Sequence, residues 1–178
     1  MRPVQLLDGP NVVEYPVVQA TLTQRYTARA LDFLERHADQ PFFLYLPHAM
    51  PHKPLAASEA YYKQSNAGLY GDVIEELDWS VGEILATLKR LEIEDRTLVL
   101  FISDNGSFLS YGEHAGSAAP LCDGKLTTFE GGVRVPCIMR WPGKIPAGLV
   151  QQELGATIDL LPTLAKLIGA ELPPHRID

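Results

Sequence analysis

The sequence has few of the features that mark a zinc site, a nucleic-acid partner or a membrane. Its two cysteines, Cys122 and Cys137, match no metal spacing such as C-x-x-C, so we expect neither a zinc site nor a disulfide framework, although the two could pair with each other. Runs of lysine or arginine are missing and the formal net charge is −7, which argues against nucleic acid or an anionic membrane as partner. No apolar run approaches the ~18 residues of a membrane span, and the first residues do not form a signal peptide, so we expect a soluble chain.

The chain is nevertheless long and apolar enough to fold around one core. It has 178 residues, of which 46% are hydrophobic and 21% charged, a composition typical of a globular domain. Residues 1–16 carry turn and extended signals such as Asp8-Gly9-Pro10, and predict an extended arm rather than a regular element. We expect a single domain in which residues 17–170 form an α/β core.

Helical patterns occur in three places: residues 21–38, residues 72–91, and the segment from Thr157 to Gly169. The second of these begins with Asp72 and, three residues later, Glu75, a spacing that resembles a capping box. We interpret Glu75, Glu76 and Asp78 as capping or solvated side chains of this helix.

Strands are predicted by three apolar runs: residues 41–46, 97–103 and 135–141. The first two show no alternation of apolar and polar residues, which fits strands covered on both faces, as in a parallel sheet flanked by helices. Because helix, strand and loop follow one another twice, the order predicts parallel strands with crossover helices in an α/β sandwich.

Asp104 and Asn105 come directly after the predicted strand 97–103. In open α/β sheets the ligand crevice lies beyond the carboxyl ends of the strands, and a carboxylate beside an amide offers two hard oxygen ligands for Ca²⁺ or Mg²⁺. The alternative is a simple turn, since Asn-Gly is a strong hairpin signal. Residues 107–124 contain no returning strand, however, and long ordered loops are usually functional.

Two histidines, His48 and His52, lie in a proline-rich loop after the predicted strand 41–46. The prolines between them exclude the helical arrangement of a zinc-binding pair. A loop histidine is most often a surface or structural residue, but a position beyond a strand favours the crevice that Asp104 would share. For His52 we expect a role as general acid, because imidazole titrates near neutrality and can protonate a departing oxygen.

Gly124-Lys125 does not form a phosphate-binding loop, because Ala119 and Leu126 stand where that motif needs glycine and Ser or Thr. Two interpretations of Lys125 remain: a lysine held close to an oxyanion by a permissive backbone, or an ordinary solvated lysine. Other polar loop residues, Tyr111, Glu113 and His114, are left unassigned, and Glu130 and Arg134 are expected to form a local ion pair.

The motifs matter most as an ordered set: Pro51-His52-Lys53-Pro54, then Phe101-Ile102-Ser103-Asp104-Asn105-Gly106, then the run from Gly124-Lys125 to Val133-Arg134. This set resembles the sulfatase family, close to the arylsulfatase and N-acetylgalactosamine-6-sulfatase type. The resemblance implies an alkaline-phosphatase-like α/β/α sandwich that hydrolyses sulfate esters at a single calcium site.

By this resemblance Asp104 and Asn105 are expected to be calcium ligands. Lys125 is expected to contact the sulfate and the leaving oxygen, and His52 to lie beside the sulfate and protonate the departing alcohol; His48 matches less well as a further substrate-binding residue. A hard cation, a lysine and a histidine together supply the charge stabilisation and the proton that sulfate-ester cleavage needs.

The sequence departs from the family pattern in one large respect. Family members begin with a strand that ends in an acidic pair for calcium, followed by a C-x-[P/S]-x-R motif whose cysteine becomes the formylglycine nucleophile. Here Cys122 is followed by Asp-Gly-Lys-Leu and Cys137 by Ile-Met-Arg-Trp. We therefore expect an incomplete sandwich that lacks the nucleophile and the first strands.

Three functions fit this pattern. The first is a part of a sulfatase that is inactive alone; the second is a non-catalytic module that binds calcium or sulfated glycan; the third is a phosphoester hydrolase of the same superfamily. The expected partner is a sulfated small molecule or glycan.

A sheet without its first strands should also expose apolar surface and a free edge, which favours self-association. Sulfatases are commonly periplasmic, secreted or lysosomal, but no targeting segment specifies a compartment here.

Overall fold

The computed structural model describes residues 4–175 and shows a chain of mixed helices and strands in two units, one ending at Ile145 and the other beginning at Pro146. The first unit contains, in chain order, β1 (Leu6–Asp8), β2 (Asn11–Glu14), α1 (Leu22–His37), α2 (Gly68–Arg90), β3 (Val99–Ile102), the short α3 (Glu130–Val133) and β4 (Cys137–Arg140). The second unit contains α4 (Leu160–Ile168). Short 3-10 turns span Gln19–Thr21, Glu94–Arg96, Leu109–His114 and Thr157–Asp159.

Helices α1 and α2 pack against each other and carry the core of the first unit. The prediction of a helix over residues 21–38 is confirmed to within one residue at each end, whereas α2 begins four residues before Asp72. Leu34 of α1 and Leu88 of α2, each 1% exposed, meet Ile93 in one apolar cluster. Leucines at helical spacing on both helices make this contact possible, as the periodicity predicts.

Asp72 does not cap α2, so the capping-box prediction was wrong. Because the helix begins at Gly68, Asp72 lies inside it and is 1% exposed. Its carboxylate accepts hydrogen bonds from the backbone N–H groups of Lys63, Gln64 and Ser65, at 2.8, 3.1 and 2.8 Å. The side chain therefore fastens the loop that precedes the helix instead of the helix terminus.

Glu76 is a second buried acid on α2, and its interpretation as a solvated side chain was also wrong. It is 1% exposed, and one carboxylate oxygen accepts the backbone N–H of Ser58 at 3.0 Å. Its other oxygen has no hydrogen-bond partner among residues 4–175. Glu75 and Asp78 are exposed, as expected.

The buried Asp72 carboxylate should make stability depend on pH. Burial raises the pKa of this carboxyl group. The hydrogen bonds from the backbone N–H groups of Ser65, Lys63 and Gln64 outweigh burial and hold the pKa below its ordinary value of 3.8. A lowered folded-state pKa stabilises the fold above the unfolded pKa, and this contribution is lost as the pH falls through the folded pKa. We expect Asp72→Asn to lower the urea midpoint clearly at about pH 7 and much less at about pH 3.

Urea unfolding curves at the two pH values, with Asp78→Asn as the exposed control, measure this difference. An equal loss for Asp72→Asn at both pH values would show that the charge of the carboxylate does not matter.

Residues 6–14 form an antiparallel hairpin, so the prediction of an arm without a regular element was wrong for this part of residues 1–16. The turn predicted at Asp8-Gly9 is present, with a φ of 57° at Gly9 that glycine adopts without strain. Ion pairs from Arg25 to Glu14 and from Arg29 to Asp8 tie the hairpin to α1. The two strands have only three and four residues, too short to show a clear strand pattern in the sequence, which explains why no regular element was predicted.

Strands β3 and β4 lie inside the two predicted runs 97–103 and 135–141, which confirms both as strands. The expectation that the first of them is covered on both faces was wrong, because Phe101 and Ile102 are 38% and 36% exposed among the described residues. The two strands pair antiparallel, with Phe101 opposite Ile138, so the expectation of parallel strands was wrong for this pair. An apolar run predicts that a strand is buried but carries no information on the direction of its neighbour. Here the chain returns through the loop and α3 and runs back along β3.

The apolar run over residues 41–46, which we call segment 41–46, is not paired as a strand, and the prediction of a buried strand was wrong. Its exposure alternates: Phe42 and Leu44 pack onto the core cluster, while Phe43 and Tyr45 are 77% and 75% exposed. The segment is therefore covered on one side only by the residues that the structure describes.

In the second unit, α4 confirms the short helix predicted to end at Gly169. The glycine adopts a φ of 69°, and its N–H group bonds to the carbonyls of Ala165 and Lys166. At the start of this unit's helical turns, the Ala156 N–H donates to the Asp159 carboxylate at 2.8 Å. None of the helices in residues 4–175 has the length and apolar character needed to cross a bilayer.

Candidate functional site

Three loop segments meet at glycines after β3. The N–H of Gly106 donates to the carbonyl of Gly132 at 3.0 Å, and the N–H of Gly131 donates to that of Cys122 at 2.8 Å. A β-carbon on Gly106 would lie 1.8 Å from the carbonyl oxygen of Gly131, and one on Gly131 would lie 2.0 Å from that of Asp123. Backbone can approach backbone this closely only where no side chain intervenes. The glycines thus bring the Asp104-Asn105 segment, the Lys125 segment and α3 together.

Lys125 is fixed within this arrangement by its own backbone. Its N–H donates to the carbonyl of Ser107 at 2.8 Å, and its Nζ lies 5.7 Å from the ring centre of Phe108. The neighbouring Asp123 and Leu126 have φ values of 58° and 77°, which non-glycine residues rarely adopt. Such backbone strain clusters at functional sites, where surrounding structure enforces it. Lys125 therefore lies on a constrained loop whose backbone is bonded to Ser107, two residues after Asn105.

Asp104 and Asn105 emerge directly after β3. The hydroxyl of Ser103 donates to the backbone carbonyl of Asn105 at 2.9 Å and orients this turn. Asp104 is exposed, Asn105 is half-buried, and neither side chain forms a hydrogen bond or ion pair among the described residues. Their oxygens are thus available to an external ligand, and Gly106 continues into a loop rather than a hairpin.

A calcium ion would find a partial set of ligands here. Calcium takes roughly six to eight oxygen ligands, and the carboxylate of Asp104 and the amide oxygen of Asn105 have the right chemistry for two positions. Within residues 4–175, no group of three or more His, Cys, Asp or Glu side chains could hold a metal ion. The two residues therefore fit part of a calcium shell and need further oxygen ligands to complete it.

His52 is exposed, and a backbone contact orients its ring. Its Nδ1 lies 2.8 Å from the carbonyl of Lys53, and because a carbonyl only accepts, Nδ1 carries the hydrogen. Nε2 is left free to exchange a proton with a bound ligand. His52 and Lys53 also line a pocket of about 360 Å³ with residues of the hairpin and of α1.

Lys53 joins the histidine loop to the loop that follows β3. Its Nζ lies 3.1 Å from the ring centre of Tyr111, a cation–π contact of close range. His52 is thereby linked, through Lys53 and Tyr111, to the same loop to which Lys125 is bonded. Lys53 and Lys125 bring local positive charge to a chain whose formal net charge is −7.

His48 faces helix α1 instead. Its ring faces Tyr26 of α1 with ring centres 6.3 Å apart, and its buried Nδ1 has no hydrogen-bond partner among the described residues. Burial lowers the pKa of His48, so the ring is neutral near pH 7. These contacts place His48 on the core side of its loop, whereas His52 is on the outer side.

Sequence reasoning did not identify Lys53 and left Tyr111 unassigned. The signal for Lys53 was its position beside His52 in the proline-rich loop, but its partner lies 58 residues away and could not be inferred.

Glu113 and His114 are exposed and line a second cavity with residues at the start of α2. The expected pair of Glu130 and Arg134 is present at 3.5 Å.

Comparison with known proteins decides the family. The sulfatase family model matches residues 5–170. The chain belongs to the sulfatase family. This sulfatase chain is 46% identical over 176 residues to N-acetylgalactosamine-6-sulfatase of Canis lupus familiaris, covering 95% of the chain and 34% of that protein. It is 42% identical over 172 residues to human steryl-sulfatase, covering 94% of the chain and 30% of the relative.

Solved structures agree with this assignment. The sulfatase chain superposes on PsFucS1 sulfatase from Pseudoalteromonas sp. with a TM-score of 0.86 and 32% identity, covering 90% of the chain and 34% of that structure. It also matches Ps i-CgsB in complex with k-i-k-neocarrahexaose, with a TM-score of 0.82, 32% identity, and 96% and 38% coverage. The family resemblance and the mixed α/β fold are thus confirmed, and the chain spans about a third of the length of the curated relatives.

Proposed function

We propose that this chain is one part of a sulfatase catalytic domain that hydrolyses sulfate esters, and that it is inactive alone. The observation that carries the proposal is the convergence of three loops: the Asp104-Asn105 turn, the Lys125 loop and the His52 loop. The complete domain would be an alkaline-phosphatase-like α/β/α sandwich, of which this chain supplies an incomplete portion. The exposed side chains of segment 41–46 and of β3 and β4 support this incompleteness.

Two side chains would act on the sulfate ester. The ammonium of Lys125 would contact a sulfate oxygen and stabilise the negative charge that develops on the leaving oxygen. His52 would donate a proton from Nε2 to the departing alcohol, while Nδ1 keeps its hydrogen bond to the Lys53 carbonyl. That bond persists in both protonation states, because Nδ1 carries a hydrogen in each, and so the ring keeps its orientation.

Asp104 and Asn105 would hold calcium together with ligands from outside this chain. When bound, the ion would offset the negative charge of the sulfate oxygens. The exposed carboxylate and the free amide oxygen support this assignment, since neither is engaged by another described side chain.

The nucleophile has to come from elsewhere. Neither Cys122 nor Cys137 has the sequence around it that the family uses to form formylglycine. The relatives are about three times as long as the matched region, which leaves ample chain for a nucleophile and further calcium ligands. The relatives' names indicate sulfated sugars and sterols as substrates of those proteins, and we propose a sulfated glycan or small molecule here.

An exchange protein tests the proposal. In it, residues 5–170 of this chain replace the matching third of canine N-acetylgalactosamine-6-sulfatase. We expect it to release sulfate from an aryl sulfate, and we expect no release by the 178-residue chain alone. The inactive-alone proposal fails if the isolated chain turns over the substrate. A folded exchange protein, verified by its melting transition, that releases no sulfate would contradict the sulfatase role.

Calcium binding tests the assignment of Asp104 and Asn105 as metal ligands. We expect the exchange protein to bind about one calcium ion, and Asp104→Ala to weaken binding by on the order of 100-fold in equilibrium dialysis, because it removes the charged ligand. Asp78→Ala, which removes another exposed acid, on α2, is the matched control. Unchanged affinity in Asp104→Ala would place the calcium elsewhere.

A further inference from the structure

Glu76 is a buried acid that the proposed mechanism does not use. It lies on α2, is 1% exposed, and accepts the backbone N–H of Ser58 at 3.0 Å through one carboxylate oxygen. The other oxygen has no hydrogen-bond partner among residues 4–175. A buried acid that makes a single hydrogen bond is destabilising compared with an apolar side chain of similar size, because most of its hydration is lost without replacement. Core stability therefore does not account for Glu76, and its bond to Ser58 is the contact to explain.

Ser58 is held between the two long helices. Its backbone N–H donates to Glu76 of α2, and its hydroxyl accepts a hydrogen bond from Nε2 of Gln24 of α1 at 2.9 Å. The residue is itself buried. Hydrogen bonds are directional, so the two together fix the position of Ser58 against both helices. Ser58 is thus a fixed point at the end of the loop that carries His52, residues 47–58, which we call the histidine loop.

The histidine loop also packs onto α2 on both sides of His52. Three loop residues and two residues of α2 form one apolar cluster: Met50, Leu55, Ala57, Val73 and Leu77. Apolar contacts are non-directional and allow a loop to slide over a helix, whereas a hydrogen bond sets its register. The bond from Ser58 to Glu76 therefore supplies the register of a loop whose exposed part carries His52.

We infer that Glu76 is a positioning residue for His52, because it holds the histidine loop in the register that directs Nε2 of the ring towards the substrate. This inference rests on the proposed function, in which His52 protonates the departing alcohol. Nδ1 of the ring is bonded to the Lys53 carbonyl at 2.8 Å, and because that acceptor belongs to the loop backbone, the direction of the ring follows the loop conformation. The contact of Lys53 with Tyr111 holds the outer side of the loop, and Glu76 holds its core side.

Asp72 provides the comparison for a purely structural role. It is a second acid on α2 with the same 1% exposure, but its carboxylate accepts the N–H groups of residues 63–65, which lie beyond the histidine loop. Loss of either acid should lower the stability of the fold. Only the loss of Glu76 should also change the ring of His52.

Nitrogen NMR of the His52 ring in the 178-residue chain tests the inference without catalysis. The hydrogen bond that a neutral histidine makes decides which ring nitrogen carries the hydrogen. We expect Nδ1 to carry it in the parent chain, and we expect a mixture of both forms in Glu76→Met, which removes the acceptor of the Ser58 N–H. Glu76→Gln keeps an oxygen that can accept this N–H and should restore the Nδ1 form. Asp72→Asn is the control and should leave the ring unchanged. An unchanged ring in folded Glu76→Met overturns the inference.

Kinetics of the exchange protein give a second readout. Glu76→Met should lower kcat for an alkyl or sugar sulfate by on the order of 10- to 100-fold, the effect of a misplaced catalytic group. For a nitrophenyl sulfate the loss should be less than about 3-fold, because its phenolate departs without a proton. Asp72→Asn should leave the ratio of the two rates unchanged. An equal loss for both esters in Glu76→Met would make Glu76 a structural residue and overturns the inference.

Gln24→Ala tests the same point if urea unfolding shows that Glu76→Met does not fold. It removes the other hydrogen bond to Ser58 from a half-buried position, and should shift the ring form and the rate ratio in the same direction by a smaller amount. No change in either measurement would overturn the inference. A changed ring form in Glu76→Met, combined with an exchange protein that folds and releases no sulfate, would refute the proposed function and leave the positioning of His52 by Glu76 standing.

Discussion

Replacing Gly106 with alanine is expected to destabilise the first unit by about 3 kcal/mol or more and to disrupt the loop that holds Lys125. The added β-carbon would lie 1.8 Å from the carbonyl oxygen of Gly131, a backbone atom that cannot move aside as the end of a side chain can. The hydrogen bond from Gly106 to Gly132 would break, and the segments that it joins would separate. Since Gly106 follows Asp104 and Asn105 directly, the loss reaches the candidate calcium ligands.

Gly82 provides the matched control for this experiment. It lies inside α2, and a β-carbon there would meet no atom within 4 Å. Alanine at Gly82 should therefore stabilise the chain by about 1 kcal/mol, the ordinary gain for glycine replaced within a helix. Urea unfolding of the two variants measures both effects. If Gly106→Ala were as stable as Gly82→Ala, the close packing of the three loops would not exist in solution.

The elements that the sequence predicted are those whose pattern is local. Apolar spacing located α1, α2 and α4, and apolar runs located β3 and β4. In each case the apolar residues that form the pattern are only a few positions apart on the same element. The direction of β4 and the lack of a partner for segment 41–46 depend on distant chain, and a run of apolar residues cannot report either. The run from Pro41 to Leu46 is as apolar as a buried strand, although Phe43 and Tyr45 are exposed in the described part of the chain.

The candidate site shows the same limit. The order of the motifs identified four candidate residues: Asp104, Asn105, Lys125 and His52. The structure links their loops through backbone hydrogen bonds and through the contact of Lys53 with Tyr111.

The buried acid Asp72 was misinterpreted for a different reason. Asp72 looks like a surface acid in sequence because its partners are backbone N–H groups, which every residue but proline has. Only the fold tells which N–H groups need a carboxylate.

The largest kinetic effects are expected at Lys125 and His52, and their dependence on the leaving group should differ. In the exchange protein Lys125→Ala should reduce kcat by on the order of 1,000-fold for every sulfate ester, because the ammonium stabilises charge in each reaction. His52→Ala should reduce kcat by on the order of 1,000-fold for an alkyl or sugar sulfate, and far less for a nitrophenyl sulfate, whose phenolate departs without a proton.

Steady-state kinetics with both ester types separates the two roles. Lys144→Ala, which removes an exposed lysine outside the three loops, is the control and should leave kcat unchanged. A His52→Ala loss that is equal for both esters would make His52 a binding residue rather than the general acid. A Lys125→Ala effect confined to KM would mean that the ammonium holds the sulfate equally well before and during cleavage, because only stabilisation that grows towards the transition state raises kcat.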